Sequence, residues 1–114
     1  LTQPLCYARY TAASSDTGLV SSLLLETEPR RFAVRHQLNQ QSVTTVLDGI
    51  SLAELPQSLF LEAGLFAEPN LRTLDALHLA SAIRLEVDEL VTFDVRRAQA
   101  ARELGLHVTV PAAD

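Results

Sequence analysis

The residues best placed to do chemistry are a few carboxylates set beside strongly apolar segments. In Leu74-Asp-Ala-Leu-His-Leu-Ala-Ser-Ala-Ile83 only Asp75, His78 and Ser81 are polar. A helix apolar on nearly all sides is expected to be buried. A carboxylate inside it is costly unless it is paired, hydrogen-bonded or bound to a cation. The structural alternative for Asp75 is a place in the first helical turn, favoured by about 0.3–1 kcal/mol of helix-dipole interaction. His78 reads as a packed structural residue near Asp75 that can hydrogen-bond to it. Asp94 directly follows the apolar run Leu90–Phe93, at the carboxyl end of a strand where open α/β sheets place their sites. It equally suits the N-cap of a following helix, and one carboxylate can serve both purposes. Thr92 is positioned to line the same cleft. Glu26 and Glu28 stand beside Arg30, Arg31 and Arg35, which reads either as a solvated charged face or as arginines able to grip a phosphate in bidentate geometry.

Other chemistries are poorly supported. His36, His78 and His107 share no metal-ligand spacing, and no Cys/His set resembles a zinc site. With only four glycines there is neither a phosphate-cradling loop nor a nucleophile elbow. Carboxylate chemistry remains.

The elements that must position these residues alternate between helices and short strands. Residues 1–18 read as a poorly specified arm, followed by one domain over 19–114. A helical pattern over Glu26–Gln41 contains Pro29, which must start, kink or split it. Ser42–Asp48 reads as a short helix with a serine N-cap. Ile50–Leu55 alternates like a strand, and Pro56 opens a helix over Gln57–Ala67. Leu71–Leu85 is helical, Leu90–Phe93 a buried strand, Val95–Leu104 a helix stopped by Gly105, and His107–Val110 a last strand. The strands look too compact for hairpin partners, so the pattern predicts an α/β domain with a parallel sheet.

Composition narrows the setting. At 47% hydrophobic and 20% charged the chain suits one compact domain. The net charge of −5 argues against a grip on nucleic acid through the overall field; such a grip must be local or carried by metal ions. All nine basic residues are arginine, which reads as a coding preference with little mechanistic content. The lone Cys6 reads as inert and reports no oxidising compartment. No apolar run approaches the roughly 20 residues that span a bilayer, and the start lacks a signal-peptide pattern, so a cytoplasmic location is expected. The absence of methionine fits a fragment or an unusual start.

Three segments together resemble a known family. Leu71-Arg-Thr-Leu-Asp-Ala-Leu-His-Leu-Ala-Ser-Ala82, Asp88-Glu-Leu-Val-Thr-Phe-Asp94 and Ala100-Ala-Arg-Glu-Leu-Gly-Leu106 are similar to the C-terminal half of PIN-domain ribonucleases, above all the VapC toxins of type II toxin–antitoxin pairs. Upstream, Val20-Ser-Ser-Leu-Leu-Leu-Glu-Thr-Glu-Pro-Arg-Arg31 resembles the family's second acidic motif, so the likeness runs over about residues 19–111. It implies an α/β, PIN-like three-layer fold with a short parallel sheet. It also implies an endoribonuclease that uses Mg²⁺ or Mn²⁺ to activate a water against an RNA phosphodiester, with a small cognate antitoxin and a homodimer as partners. Carried over by position, the second, third and fourth acidic residues fall on Glu28, Asp75 and Asp94, as metal ligands and catalytic residues, with Glu26 a substitute for Glu28.

Two departures stand out. No apolar strand ending in an aspartate precedes Leu19, since Asp16-Thr17 follows Ala12-Ala-Ser-Ser15; the first strand reads as missing, which opens a sheet edge to a second chain. Pro29 stands where an apolar residue is usual. The alternative to an active toxin is therefore a truncated, catalytically degenerate relative that serves as a dimerisation or antitoxin-binding module.

Overall fold

The computed structural model describes the backbone of residues 11–15 and all of residues 18–111; Cys6, Asp16 and Thr17 lie outside the described residues. The chain runs β1 (Thr11–Ser15), β2 (Gly18–Ser22), a 3₁₀ turn (Leu23–Glu26), α1 (Glu28–His36), α2 (Gln40–Leu47), β3 (Ser51–Ala53), α3 (Gln57–Gly64), α4 (Thr73–Arg84), β4 (Glu89–Thr92), α5 (Val95–Glu103) and β5 (Val108–Thr109). The strands form one sheet in the order β3-β2-β1-β4-β5.

This sheet is mixed, a correction to the expected parallel one. β2 pairs parallel with β3 (Val20 opposite Ser51) and β4 parallel with β5 (Leu90 opposite Val108). Between them β1 is antiparallel to both neighbours, with Ala13 opposite Val20 on one side and Leu90 on the other. The reason lies in the connection. Only two residues separate Ser15 from Gly18, enough to reverse a chain but far short of the dozen or more that a parallel crossover needs. Gly18 takes φ +116°, a backbone region that residues with a Cβ rarely adopt. Thr11–Ser15, within the stretch read as an arm, is thus the central strand, and both β2 and β4 have a neighbour.

Proline placement settles the expected long helix. Pro29 is the second residue of α1, where its missing N–H costs nothing. The preceding Leu23–Glu26 forms a separate 3₁₀ turn, capped by Ser22. α1 ends at Gln37, in the left-handed conformation with φ 57°. α2 begins earlier than a Ser42 cap would allow: Asn39 is its N-cap, its side chain accepting from the Gln41 N–H at 2.6 Å.

The core is organised around α4, whose residues Asp75 to Ala82 are all buried. Leu79 and Ala82 pack with Leu90 of β4 and with Ala100 and Ala101 of α5. Ala76, Leu77 and Ala80 pack against Leu59 and Ala63 of α3. A third cluster, Leu25, Ala33, Val43 and Leu47, joins α1 to α2. The buried Ser81 hydroxyl is satisfied within α4, donating to the Leu77 carbonyl at 2.9 Å. Among the described residues no helix is long and apolar enough to cross a membrane.

Candidate active site

α1, the start of α4 and the start of α5 converge on one cleft of about 910 Å³. It brings together Glu28, Asp75 and Asp94, the three acids singled out from sequence. Each is held by a partner that sequence reasoning did not foresee as a set. Glu28, on the first turn of α1, meets His78 across 50 positions of sequence, with Oε1 2.6 Å from the imidazole Nε2. The His78 side chain is 1% exposed, so this contact supplies a polar partner to a ring otherwise surrounded by the core. The expected His78–Asp75 hydrogen bond gives way to this one.

Asp75 instead accepts from Arg97. The guanidinium Nε lies 2.6 Å from Oδ1, with the two side chains 4% and 10% exposed. Asp75 also occupies the first turn of α4, so the dipole reading holds alongside the buried-pair reading rather than against it. Burial of this carboxylate is matched by a full positive charge.

Asp94 is the N-cap of α5, Oδ1 accepting from the Arg96 and Arg97 N–H groups at 3.0 and 3.2 Å. Its own N–H donates to Thr92 Oγ1 at 3.1 Å. Thr92 is fully buried and braces this turn, so it does not line the cleft as expected. Glu26 is not a cleft residue either. It pairs with Arg30 at 2.6 Å, and Arg30 continues to Gln40 and Thr44 of α2.

Five arginines line the cleft: Arg31, Arg35, Arg72, Arg96 and Arg97. Against three carboxylates they leave an excess of two positive formal charges, on a chain whose net charge is −5. The all-arginine composition, read as a coding preference, therefore has a spatial expression. Arg97 was hidden from sequence reasoning because 22 positions separate it from Asp75; the only local signal was its place in the first turn after Asp94.

The resemblance implies that Glu28, Asp75 and Asp94 hold Mg²⁺ or Mn²⁺. Carboxylate oxygens are the right donors for such hard cations. The arrangement nevertheless does not fit one: among the described residues no three His, Cys, Asp or Glu side chains are gathered closely enough to hold a metal. One oxygen of each acid is already engaged, by His78, by Arg97 or by the α5 backbone.

Two curated proteins are similar to this chain. Ribonuclease VapC46 of Mycobacterium tuberculosis (strain ATCC 25618 / H37Rv) is 34% identical over 107 residues, 92% of this chain and 75% of that protein. Ribonuclease VapC47 of Mycobacterium tuberculosis (strain CDC 1551 / Oshkosh) is 36% identical over 70 residues, 60% of this chain and 52% of that one. No family model and no solved structure matches. The likeness to the first, spread over nearly the whole chain, decides the class: the chain belongs to the VapC family of ribonucleases.

Proposed function

We propose that this chain, with a PIN-like fold, is an endoribonuclease toxin that hydrolyses RNA phosphodiesters and is paired with a small antitoxin protein. The observation that carries the reading is the convergence of Glu28, Asp75 and Asp94 in one arginine-lined cleft at the carboxyl end of β4. Exposed Arg31, Arg35, Arg72 and Arg96 suit the phosphates of a single strand, which they can meet in bidentate geometry. Buried Arg97 and His78 fix two of the acids in place. Phe60, Leu61 and Leu65 at the α3 end, all exposed, offer an antitoxin or a second copy an apolar surface. The ligand role of the three acids toward Mg²⁺ or Mn²⁺ belongs to the same proposal, and the arrangement described above would have to open for it.

A second reading is favoured by one observation: Asp75 is already neutralised by Arg97, as suits a relative that binds partners without cleaving RNA. Incubation of the full chain with single-stranded RNA, in the presence of Mn²⁺, separates the two. Cleavage that disappears in Asp94→Asn supports the toxin reading. Intact RNA with the wild-type chain, or equal cleavage by both proteins, contradicts it.

A further inference from the structure

Arg97 sets a full positive charge directly against Asp75. Its side chain is 4% exposed, its Nε is 2.6 Å from Asp75 Oδ1, and it lines the cleft shared with Glu28 and Asp94. Arginine keeps its charge under all ordinary conditions, so the compensation of Asp75 is permanent while the contact lasts. The first turn of α4 adds further positive potential from the helix dipole. A carboxylate held from two sides by positive charge attracts a third cation weakly, and the cation must also approach the guanidinium itself.

Building on the reading of this cleft as the ribonuclease centre, we propose that Arg97 is a built-in counter-ion of Asp75 that competes with a divalent cation for that carboxylate, so that cation binding in the cleft requires the Arg97–Asp75 contact to be exchanged. The chain alone is then held in a charge-compensated state. The mismatch between the acid set and a metal site follows from this: the acids are gathered around one cleft, but a resident side chain takes the cation's place on the most buried of them.

The proposal singles out one arginine among five. Arg96 lines the same cleft and sits next to Arg97 in sequence, yet its side chain is exposed and it does not hold Asp75. Removing either arginine changes the cleft charge equally; only removal of Arg97 frees the carboxylate.

The test is calorimetric titration of Mn²⁺ alone into the full chain and its Arg97→Gln, Arg96→Gln and Arg97→Gln/Asp75→Asn variants. Arg97→Gln is expected to bind Mn²⁺ at least tenfold more tightly than wild type, Arg96→Gln to change by less than threefold, and the double variant to lose the gain. Equal affinities for the two arginine variants, or no Mn²⁺ binding to either, overturn the proposal. Should Arg97→Gln not fold, the unaltered chain is titrated with Mg²⁺ while the Arg97 Nε–H resonance is followed by NMR. A saturable shift of that resonance supports the exchange; a resonance unmoved throughout overturns it. RNA cleavage is a separate readout. A chain that shows the tenfold gain yet cleaves no RNA keeps the counter-ion and loses the ribonuclease reading, and cleavage without the gain does the reverse.

Discussion

Asp75 and His78 stand three positions apart on the buried helix α4, and each reaches out to a different neighbouring helix. Asp75 holds Arg97 of α5, and His78 holds Glu28 of α1, both at 2.6 Å. Residues at this spacing share a helix face, so one face of α4 anchors both walls of the cleft. A helix buried from Asp75 to Ala82 thereby carries the two polar contacts that draw α1 and α5 together.

The Asp75–Arg97 pair should behave as a buried ion pair whose members depend on each other. Asp75→Ala takes away the carboxylate that the buried Arg97 holds and should cost about 3–5 kcal/mol. Replacing both, as Asp75→Ala/Arg97→Met, should recover much of that loss. Urea unfolding of the two singles and the double measures the coupling; additive losses would show that the contact is not formed.

The His78–Glu28 contact should matter to α1 more than to the core. Glu28→Gln retains a hydrogen-bonding side chain and should cost less than His78→Ala, which leaves Glu28 unpartnered and should cost about 1–3 kcal/mol. Amide hydrogen exchange of Glu28–His36 should rise in His78→Ala while that of Leu90 stays near wild type. A uniform rise across the chain would contradict a local anchoring role.

Asp94 has a structural role that can be separated from any chemical one. As the N-cap of α5 it should lose about 0.5–2 kcal/mol on change to Ala and much less on change to Asn, which keeps a capping oxygen. RNA cleavage, by contrast, should vanish in both variants. Cleavage retained in Asp94→Asn would confine the residue to capping.

RNA binding should be local and strongly salt-dependent despite the acidic chain. Each phosphate neutralised on a single strand contributes about −0.7 to the slope of log K against log salt. Arg35→Gln and Arg72→Gln should each weaken binding across sequences and flatten that slope by about this amount. Arg84→Gln, whose arginine pairs with Glu62 away from the cleft, should leave both unchanged. Anisotropy of a labelled oligonucleotide across a salt series reads this directly.

Much of the architecture was legible because it is written locally. Asp75, His78 and Ser81 interrupting an apolar run identified a buried helix, and an aspartate directly after a short apolar strand identified the cap of α5. Pro29 marked a start, kink or split from its own covalent geometry, and the fold takes the first of these. β1 was not legible: Thr11-Ala-Ala-Ser-Ser15 has no apolar alternation, and its place comes from pairing with β2 and β4 on either side. The contacts that complete the cleft were not legible either. Glu28 and His78 are 50 positions apart, and Asp75 and Arg97 22; no helical or strand period links such pairs, and only the packed fold brings them together. Arginine composition carried the same difficulty, since a count says nothing about which side chains share a cleft.

The central claim, that RNA enters the cleft between α1, α4 and α5, is tested most directly by locating the RNA on the protein. Amide hydrogen exchange of the full chain would be compared with and without a non-cleavable single-stranded RNA. The account predicts protection concentrated in Thr27–Arg35, at Arg72–Asp75 and across Asp94–Arg97, lost in an Arg31→Gln/Arg35→Gln/Arg72→Gln variant. Protection centred instead on α3, around Phe60–Leu65, with the cleft segments unchanged, would contradict it.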